Sequence, residues 1–214
     1  MVKSELTIDK LIEEARNLCT EQSKIKNPTL YGVTDGKSIG THIEHEFKKY
    51  IASKYDTTIG SSAKGLDLPH PDILTDIKVT SSKHPQSSCP YRNYAQKIYG
   101  LGYNLLVLVY SKTDDHSTKT STLTFDDFRF IPMEHTADSR LTSYILKMLN
   151  SGTTSEKIAE FLMYENEEYD ETTSALLAEK IMTTPPSEGW ITISDARQWR
   201  LTFKKQKANF QVTS

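Results

Sequence analysis

Two aspartates and a lysine in residues 65–78 have the types and spacing for phosphodiester chemistry. Asp76 and Lys78 are one residue apart in a β-branched run, residues 73–80, that is typical of a strand. Side chains alternate along a strand, so Asp76 and Lys78 share one face, about 7 Å apart at Cα, while Ile77 points into the core. With a further acid nearby, this set can hold Mg²⁺ beside a lysine that supports an attacking water. Such an arrangement indicates metal-assisted phosphodiester hydrolysis.

The second carboxylate of this set is either Asp67 or Asp72. In a continuous strand the Cα atoms of Asp72 and Asp76 are about 13 Å apart, too far to share one small cation. Asp67 precedes the turn that Pro69 and Pro71 indicate, so the chain can fold back and place Asp67 on a neighbouring strand about 5 Å away. We therefore predict that Asp67 is the partner of Asp76 and keep Asp72 as the alternative.

A structural interpretation competes with this one. An isolated Asp-x-Lys is more typical of an exposed ion pair on a strand, with the flanking aspartates in turns. The context favours catalysis, because the strand is apolar and a turn bounded by Gly and Pro precedes it.

A helix upstream can supply a third acid. Residues 38–54 carry an apolar stripe at helical spacing. Glu44 and Glu46 lie at its two edges, and the pattern leaves open which of them is the acid. Lys48 is predicted to lie away from the stripe.

The remaining pattern predicts an α/β fold. Further helices are predicted at 5–19, 91–99, 139–150, 155–165 and 172–182, and further strands at 57–60, 104–110, 122–125 and 189–193. The strand at 73–80 is expected to pair with the segment just before it. After Ser194 we predict a basic helix that includes Trp199 and Leu201. This gives a core, residues 1–135, and a mostly helical portion, residues 136–214, unless the two form one continuous domain.

Composition narrows the class of protein. The 214 residues are 36% hydrophobic and 25% charged, which suits a globular domain and excludes disordered and collagen-like chains. No run approaches the roughly 20 apolar residues of a membrane-spanning helix, so no membrane partner is expected. Two cysteines and the lack of a secretion signal indicate a cytoplasmic protein. The net charge of −2 is unevenly distributed, with an acidic stretch at 156–179 and a basic stretch from 195 onward. The basic stretch can contact phosphate.

The ordered motifs resemble the PD-(D/E)XK nuclease superfamily and, within it, type II restriction endonucleases. The core of the likeness is IGTHIEHEF at 39–47, GSSAKGLDLP at 60–69 and DIKVTS at 76–81. Longer strings extend it to one restriction-enzyme subfamily: HPQSSCPY at 84–91, QKIYGLGY at 96–103 and ISDARQWRL at 193–201. One departure is that the literal Pro-Asp pair, Pro71-Asp72, stands too near Asp76 to supply the first acid.

The resemblance implies a restriction-endonuclease-like mixed β-sheet core flanked by helices, and a role for each site residue. Asp67 and Asp76 would be metal carboxylates, with the Ile77 carbonyl completing part of the Mg²⁺ coordination. Lys78 would be the catalytic lysine and Glu44 the helix acid. The implied activity is cleavage of double-stranded DNA at a specific short sequence by a homodimer. The alternatives are a structure-specific or repair nuclease of the same fold and a non-catalytic DNA-binding protein.

Contacts to DNA are predicted at three places. Polar side chains directly after the catalytic strand can meet phosphate or base edges: Ser81, Lys83, Gln86 and Ser87. Gln96, on the following helix, can hold a phosphate. Arg197 and Arg200 are backbone candidates in the basic C-terminal stretch.

Overall fold

The structure is a computed structural model that describes residues 3–60, 65–83, 91–165 and 169–194, and the backbone of 86–87 and 199–201. The chain forms two compact units. Among the described residues, the first unit contains those up to 87 and Tyr103–Pro132, and the second contains 91–102 and 133–201.

Six α-helices and eight strands are described. The helices are α1 (Ile8–Gln22), α2 (Gly36–Lys54), α3 (Ala95–Tyr99), α4 (Ser139–Asn150), α5 (Ser155–Glu165) and α6 (Glu171–Thr183). The strands are β1 (Ser4–Glu5), β2 (Tyr55–Asp56), β3 (Thr75–Ser81), β4 (Gln86–Ser87), β5 (Asn104–Asp115), β6 (Thr120–Ile131), β7 (Ile191–Ile193) and β8 (Trp199–Leu201). Short 3₁₀ turns lie at Pro28–Leu30 and Met133–His135.

The first unit is built on a mixed sheet in the order β3-β5-β6. β3 runs parallel to β5, with Ile77 opposite Leu106, and β5 runs antiparallel to β6. The first seven residues of β5 are all buried, as expected of a strand covered on both faces. Because β3 has one partner in this sheet, its other edge is open to the segment that carries Asp67.

Helices α1 and α2 cover this sheet, and their apolar stripes form the core with it. Thr7 caps α1, and the Asp35 carboxylate accepts hydrogen bonds from the first backbone N–H groups of α2. The predicted stripe of α2 is fully or nearly buried at four of its positions, namely Ile39, Ile43, Phe47 and Ile51. The position of α2 over β3 is therefore set by packing.

The second unit has a separate core between α3, α4, α5 and α6, with Ile98, Ile145, Ile158, Leu162 and Ile181 fully buried. β7 and β8 pair antiparallel in it. The Asp138 carboxylate caps α4 through the N–H groups of Arg140 and Leu141 and accepts a third hydrogen bond from Ile193 N–H. One buried carboxylate thus ties β7 to the start of α4.

The predicted fold class is confirmed: a mixed α/β structure with helices around a three-stranded sheet and a helical C-terminal part. Three local predictions were wrong. Apart from a single bridge between Leu68 and Thr75, β3 pairs with the distant β5 and not with the segment before it. The segment at 57–60 is not a strand, since β2 ends at Asp56. Residues 199–201, expected in a basic helix, form β8.

No helix among the described residues is both long and apolar enough to cross a membrane.

Candidate active site

A tight chain reversal brings Asp67 back to β3. Leu68 and Thr75 form an antiparallel bridge with hydrogen bonds of 2.9 and 3.0 Å. Between them, Leu74 adopts a left-handed backbone with φ of 33°, which is strained for a leucine. Asn104, at the start of β5, holds the turn, because its side chain donates to the Ile73 carbonyl at 2.7 Å and its N–H donates to the Leu74 carbonyl at 2.8 Å.

The Asp67 carboxylate is held at both oxygens. Ile77 N–H donates to Oδ2 at 2.9 Å, and Lys48 Nζ donates to Oδ1 at 2.7 Å. The Asp76 carboxyl group also hydrogen bonds to Asp67. On the far side, Gly60 N–H donates to the Asp67 carbonyl at 2.7 Å. The structure therefore places the two predicted aspartates directly beside each other.

Asp76 and Lys78 lie on one face of β3, as the alternation of side chains predicts. Lys78 Nζ is 2.8 Å from Asp76 Oδ2, and the Asp76 side chain is 5% exposed against 21% for that of Lys78. Ile77, between them, is fully buried in the core. Lys78 is thus partly exposed to solvent, whereas the Asp76 carboxylate that it contacts is buried.

The donor set at this edge suits a hard divalent cation. The N–H and C=O of one strand residue point to the same side of the strand. Since Ile77 N–H faces Asp67, the Ile77 carbonyl faces the same open edge, where it adds a neutral oxygen to the two aspartates. Carboxylate and carbonyl oxygens are the ligands that Mg²⁺ takes in proteins. Asp67, Asp76 and Ile77 therefore fit a metal of this kind.

Helix α2 adds an acid and a second lysine from one face. Glu44 and Lys48 are four residues apart, so they are neighbours on the helix surface. Charge interactions couple Glu44 to Lys78, Asp67, Asp76 and Lys48. The close approach of α2 to β3 depends on Gly40, where a Cβ atom would lie 3.2 Å from the Val79 carbonyl oxygen.

Burial and mutual repulsion shift the carboxyl groups of this site in different directions. Burial raises the pKa of Glu44 to about 7, and the nearby Asp67 and Asp76 charges act in the same direction. Burial also raises the pKa of Asp76, reinforced by its hydrogen bond to ionised Asp67. Burial disfavours the charge of Asp67 as well, but the hydrogen bonds from Lys48 and Ile77 N–H hold its pKa below the ordinary value. As the pH falls, Asp76 therefore takes up a proton before Asp67 does.

The alternative acids lie elsewhere. Glu46 pairs with Lys49 at 3.1 Å on the outer surface of α2, with 44% of its side chain exposed. The Asp72 side chain is 79% exposed in the turn, near His70. The structure thus brings Glu44 and Asp67, rather than Glu46 and Asp72, to Asp76 and Lys78.

The residues predicted to contact DNA are distributed over both units. Ser81 ends β3, and its Oγ accepts a hydrogen bond from the N–H of the exposed Lys83. Gln86 and Ser87 are in β4 and Arg200 is in β8, where only the backbone is described, and Arg197 lies outside the described residues.

Gln96 belongs to the second unit, in α3. Its amide bonds to two backbone groups of that unit: it accepts from Arg92 N–H at 2.7 Å and donates to the Leu101 carbonyl at 3.4 Å. The amide therefore contributes to local structure in this state.

Lys48 is the site residue that sequence reasoning missed. It was predicted to lie away from the apolar stripe, yet it is 9% exposed and its ammonium group touches Asp67. The available signal was its spacing of four residues from Glu44, which places it on the same helix face.

A second acidic group lies apart from these residues. Ligand atoms of Glu5, His70 and Asp72 are all within 4.8 Å of one another. Glu5 and Asp72 are exposed, and His70 Nδ1 accepts a hydrogen bond from Asp72 N–H at 3.4 Å. Exposed acidic groups of this kind are common in proteins that hold no metal there.

Comparison with known proteins identifies the family. A family model described as the type II restriction enzyme NspV matches residues 5–213. The type II restriction enzyme NspV of Nostoc sp. (strain ATCC 29411 / PCC 7524) is 43% identical over 199 residues, which cover 92% of this chain and 89% of that enzyme. No solved structure matches the chain. The resemblance to type II restriction endonucleases is confirmed, and the chain belongs to the NspV family of type II restriction enzymes.

Proposed function

We propose that this chain is a Mg²⁺-dependent restriction endonuclease of the PD-(D/E)XK type, which hydrolyses double-stranded DNA at a specific short sequence. Family membership makes it a site-specific deoxyribonuclease. The observation that carries the assignment of the site is the direct contact between Asp67 and Asp76, with the Lys78 ammonium group 2.8 Å from Asp76.

Asp67, Asp76 and the Ile77 carbonyl would hold the metal. When bound, Mg²⁺ would supply Lewis-acid polarisation of the scissile phosphate and offset its charge. A metal would need both aspartates ionised, so a proton taken up by Asp76 at low pH would oppose its binding. Fixation of Asp67 by the rigid N–H of Ile77 keeps one carboxylate oriented before DNA arrives.

Lys78 acts on the water and the phosphate. Its ammonium group is anchored by Asp76 at one side and reaches solvent at the other. From this position it can orient the attacking water and stabilise negative charge that develops on the phosphate oxygens. Glu44, one helix turn beyond Gly40, would help to position the attacking water or a second cation.

The remaining expectations follow the same assignment. A homodimer would present two such sites to the two strands of a symmetric duplex sequence. Residues 136–214 would serve DNA recognition or dimerisation, and Ser81 and Lys83 would meet the DNA next to the catalytic strand. Light scattering of the protein with and without DNA measures the dimer directly.

Two variants test the catalytic assignment. Asp76→Ala and Lys78→Ala should each abolish cleavage of unmethylated phage DNA in Mg²⁺, by at least a factor on the order of 10³, while DNA binding is largely kept. Defined fragments from the wild-type protein distinguish sequence-specific cleavage from a structure-specific or repair nuclease. Cleavage by either variant at the wild-type rate would refute the mechanism, and absence of Mg²⁺-dependent cleavage by the wild type would favour a non-catalytic protein.

A further inference from the structure

Lys48 is the charged group of the site that the proposed mechanism leaves without a task. Both lysines of the site touch a carboxylate, but Lys78 comes from β3 itself, whereas Lys48 reaches in from α2. Its side chain is 10% exposed and that of Asp67 is 14% exposed, so the pair is shielded from bulk water. Lysine side chains are rarely this buried, so the burial of Lys48 points to a specific role.

Lys48 contacts the Asp67 oxygen that is not bonded to the N–H of Ile77. Oδ2 is bonded to Ile77 N–H, which the strand holds in place. Oδ1 faces the Lys48 ammonium group at 2.7 Å. A lysine is a compact point charge on a flexible stem, so it can withdraw from Oδ1 without any change in the backbone.

The charge balance of the cluster explains why a cation belongs there. Asp67 and Asp76 touch each other, Glu44 is close enough to interact with their charges, and these three acids have two lysines beside them in a largely buried space. Without Lys48, one lysine would face three acids, and burial of unpaired carboxylates is strongly unfavourable. A divalent cation between the aspartates would relieve the same repulsion, but it would in turn repel the ammonium group of Lys48.

We propose that Lys48 is a built-in substitute for the metal: it holds the charge and position of Asp67 until a divalent cation displaces it from Oδ1. This rests on the proposed function, because it takes Asp67 as a metal ligand. Lys48 is on this account a positioning residue, which stabilises the metal-free protein and competes with the metal.

The competition predicts an unusual variant. Lys48→Met should unfold at a lower temperature than the wild type in EDTA, yet bind Ca²⁺ more tightly, by a factor on the order of ten or more. The rise in melting temperature on addition of Ca²⁺ should therefore be larger for Lys48→Met than for the wild type. A lysine with a merely structural role would lower the melting temperature equally with and without Ca²⁺.

Two further variants serve as controls. Lys49→Met makes the same charge change on the adjacent residue of α2, whose side chain is 77% exposed, and should bind Ca²⁺ as the wild type does. Lys48→Arg keeps the charge and should keep the wild-type affinity. If Lys48→Met fails to fold in EDTA, folding that Ca²⁺ restores supports the proposal, and folding that Ca²⁺ does not restore overturns it.

The decisive measurement is calorimetric titration with Ca²⁺ alone, together with thermal unfolding in EDTA and in Ca²⁺. Equal Ca²⁺ affinities and equal thermal shifts for Lys48→Met and the wild type would overturn the role of Lys48 while leaving the nuclease assignment intact. Failure of the proposed function has a different signature: Asp67→Asn would then bind Ca²⁺ and cleave DNA as well as the wild type.

Discussion

Helix α2 faces two clusters of acids and donors on different sides, and the two clusters differ in charge balance. On one side, Tyr50 and Lys54 approach Glu14 of α1; on the other, Glu44 and Lys48 approach the aspartates at β3. Each residue turns by about 100° around a helix, so the pair Glu44 and Lys48 and the pair Tyr50 and Lys54 point about 120° apart, towards different neighbours.

The Glu14 cluster is fully satisfied. One buried carboxylate accepts hydrogen bonds from Lys54 at 2.5 Å, from Tyr50 and Tyr55 at 2.6 Å each, and from Asn17 at 3.4 Å. Burial alone would raise the pKa of Glu14, but these donors lower it to about 2. Such a carboxylate holds α1 and α2 together and has no capacity left for a ligand.

The cluster at β3 has too few positively charged groups to balance its acids. It has one carboxyl group more than it has lysines, and burial raises the pKa of its Glu44 to about 7. The two clusters show two roles for buried acids. An acid with a full set of hydrogen-bond donors stabilises the fold, whereas a group of acids with too few positively charged partners can bind a cation. Substitutions at matched positions in the two clusters can break this distinction or sharpen it.

The largest contrast is expected from Glu44→Gln. Cleavage in Mg²⁺ should fall on the order of 10³-fold, about 4 kcal/mol of activation free energy, because the acid that α2 supplies to the site is lost. In EDTA the free energy of unfolding should stay level or rise, since Gln removes a repelled charge. Urea unfolding and cleavage rates measure both, with Glu46→Gln as the matched control that keeps wild-type cleavage. A loss of cleavage in Glu46→Gln alone would assign the helix acid to the other glutamate.

The next effect is a pH dependence of stability through Glu14. Its folded pKa of about 2 lies below the unfolded value of 4.5, so its ionised form stabilises the fold above pH 4.5. That contribution, about 3 kcal/mol, should be lost as the pH falls from 4.5 towards 2. Urea unfolding should therefore show Glu14→Gln to be less stable than the wild type at pH 7 by about this amount, with the two converging near pH 2.

Glu13→Gln is the control for this measurement, because Glu13 is the exposed neighbour of Glu14 on α1. It should follow the wild-type curve at every pH. Parallel curves for Glu14→Gln and the wild type from pH 7 to pH 2 would show that the Glu14 contacts do not stabilise the ionised carboxylate.

The proximity of Asp67 to Asp76 could be predicted from the sequence because it depends on local geometry. The rise per residue of a strand excluded Asp72 as the partner of Asp76. Two prolines indicated the turn that brings Asp67 back to the strand of Asp76. The helices α4 and α5 were predicted with their observed ends, since their apolar periodicity is regular. Features fixed within a few residues of the chain were therefore accessible.

Features that depend on contacts between distant parts of the chain could not be predicted in this way. The parallel pairing of β3 with β5 joins segments about thirty residues apart, and no local pattern encodes it. The hydrophobic periodicity of α2 places Lys48 away from the apolar stripe, because such a pattern counts every lysine as polar. Its burial depends on Asp67, which comes from another segment, and pattern analysis of one helix contains no information about that partner.

The smallest contrast tests how α2 is held against β3, by comparing two glycines of this helix. A Cβ atom at Gly36 would meet only Tyr110 Oη, at 3.9 Å, whereas one at Gly40 would lie 3.2 Å from the Val79 carbonyl oxygen. Gly36→Ala should therefore leave cleavage unchanged and stabilise the protein by less than about 1 kcal/mol, as alanine restricts the unfolded chain.

Gly40→Ala, by contrast, should lose up to about 1 kcal/mol of stability and slow cleavage several-fold, because α2 must shift and carries Glu44 and Lys48 with it. Thermal unfolding and single-turnover cleavage of the two variants measure the difference. If both alanines behave alike, the close approach at Val79 does not determine the position of the acid and the lysine. If only Gly40→Ala loses cleavage, the active site depends on a helix-to-strand separation that a single methyl group can alter.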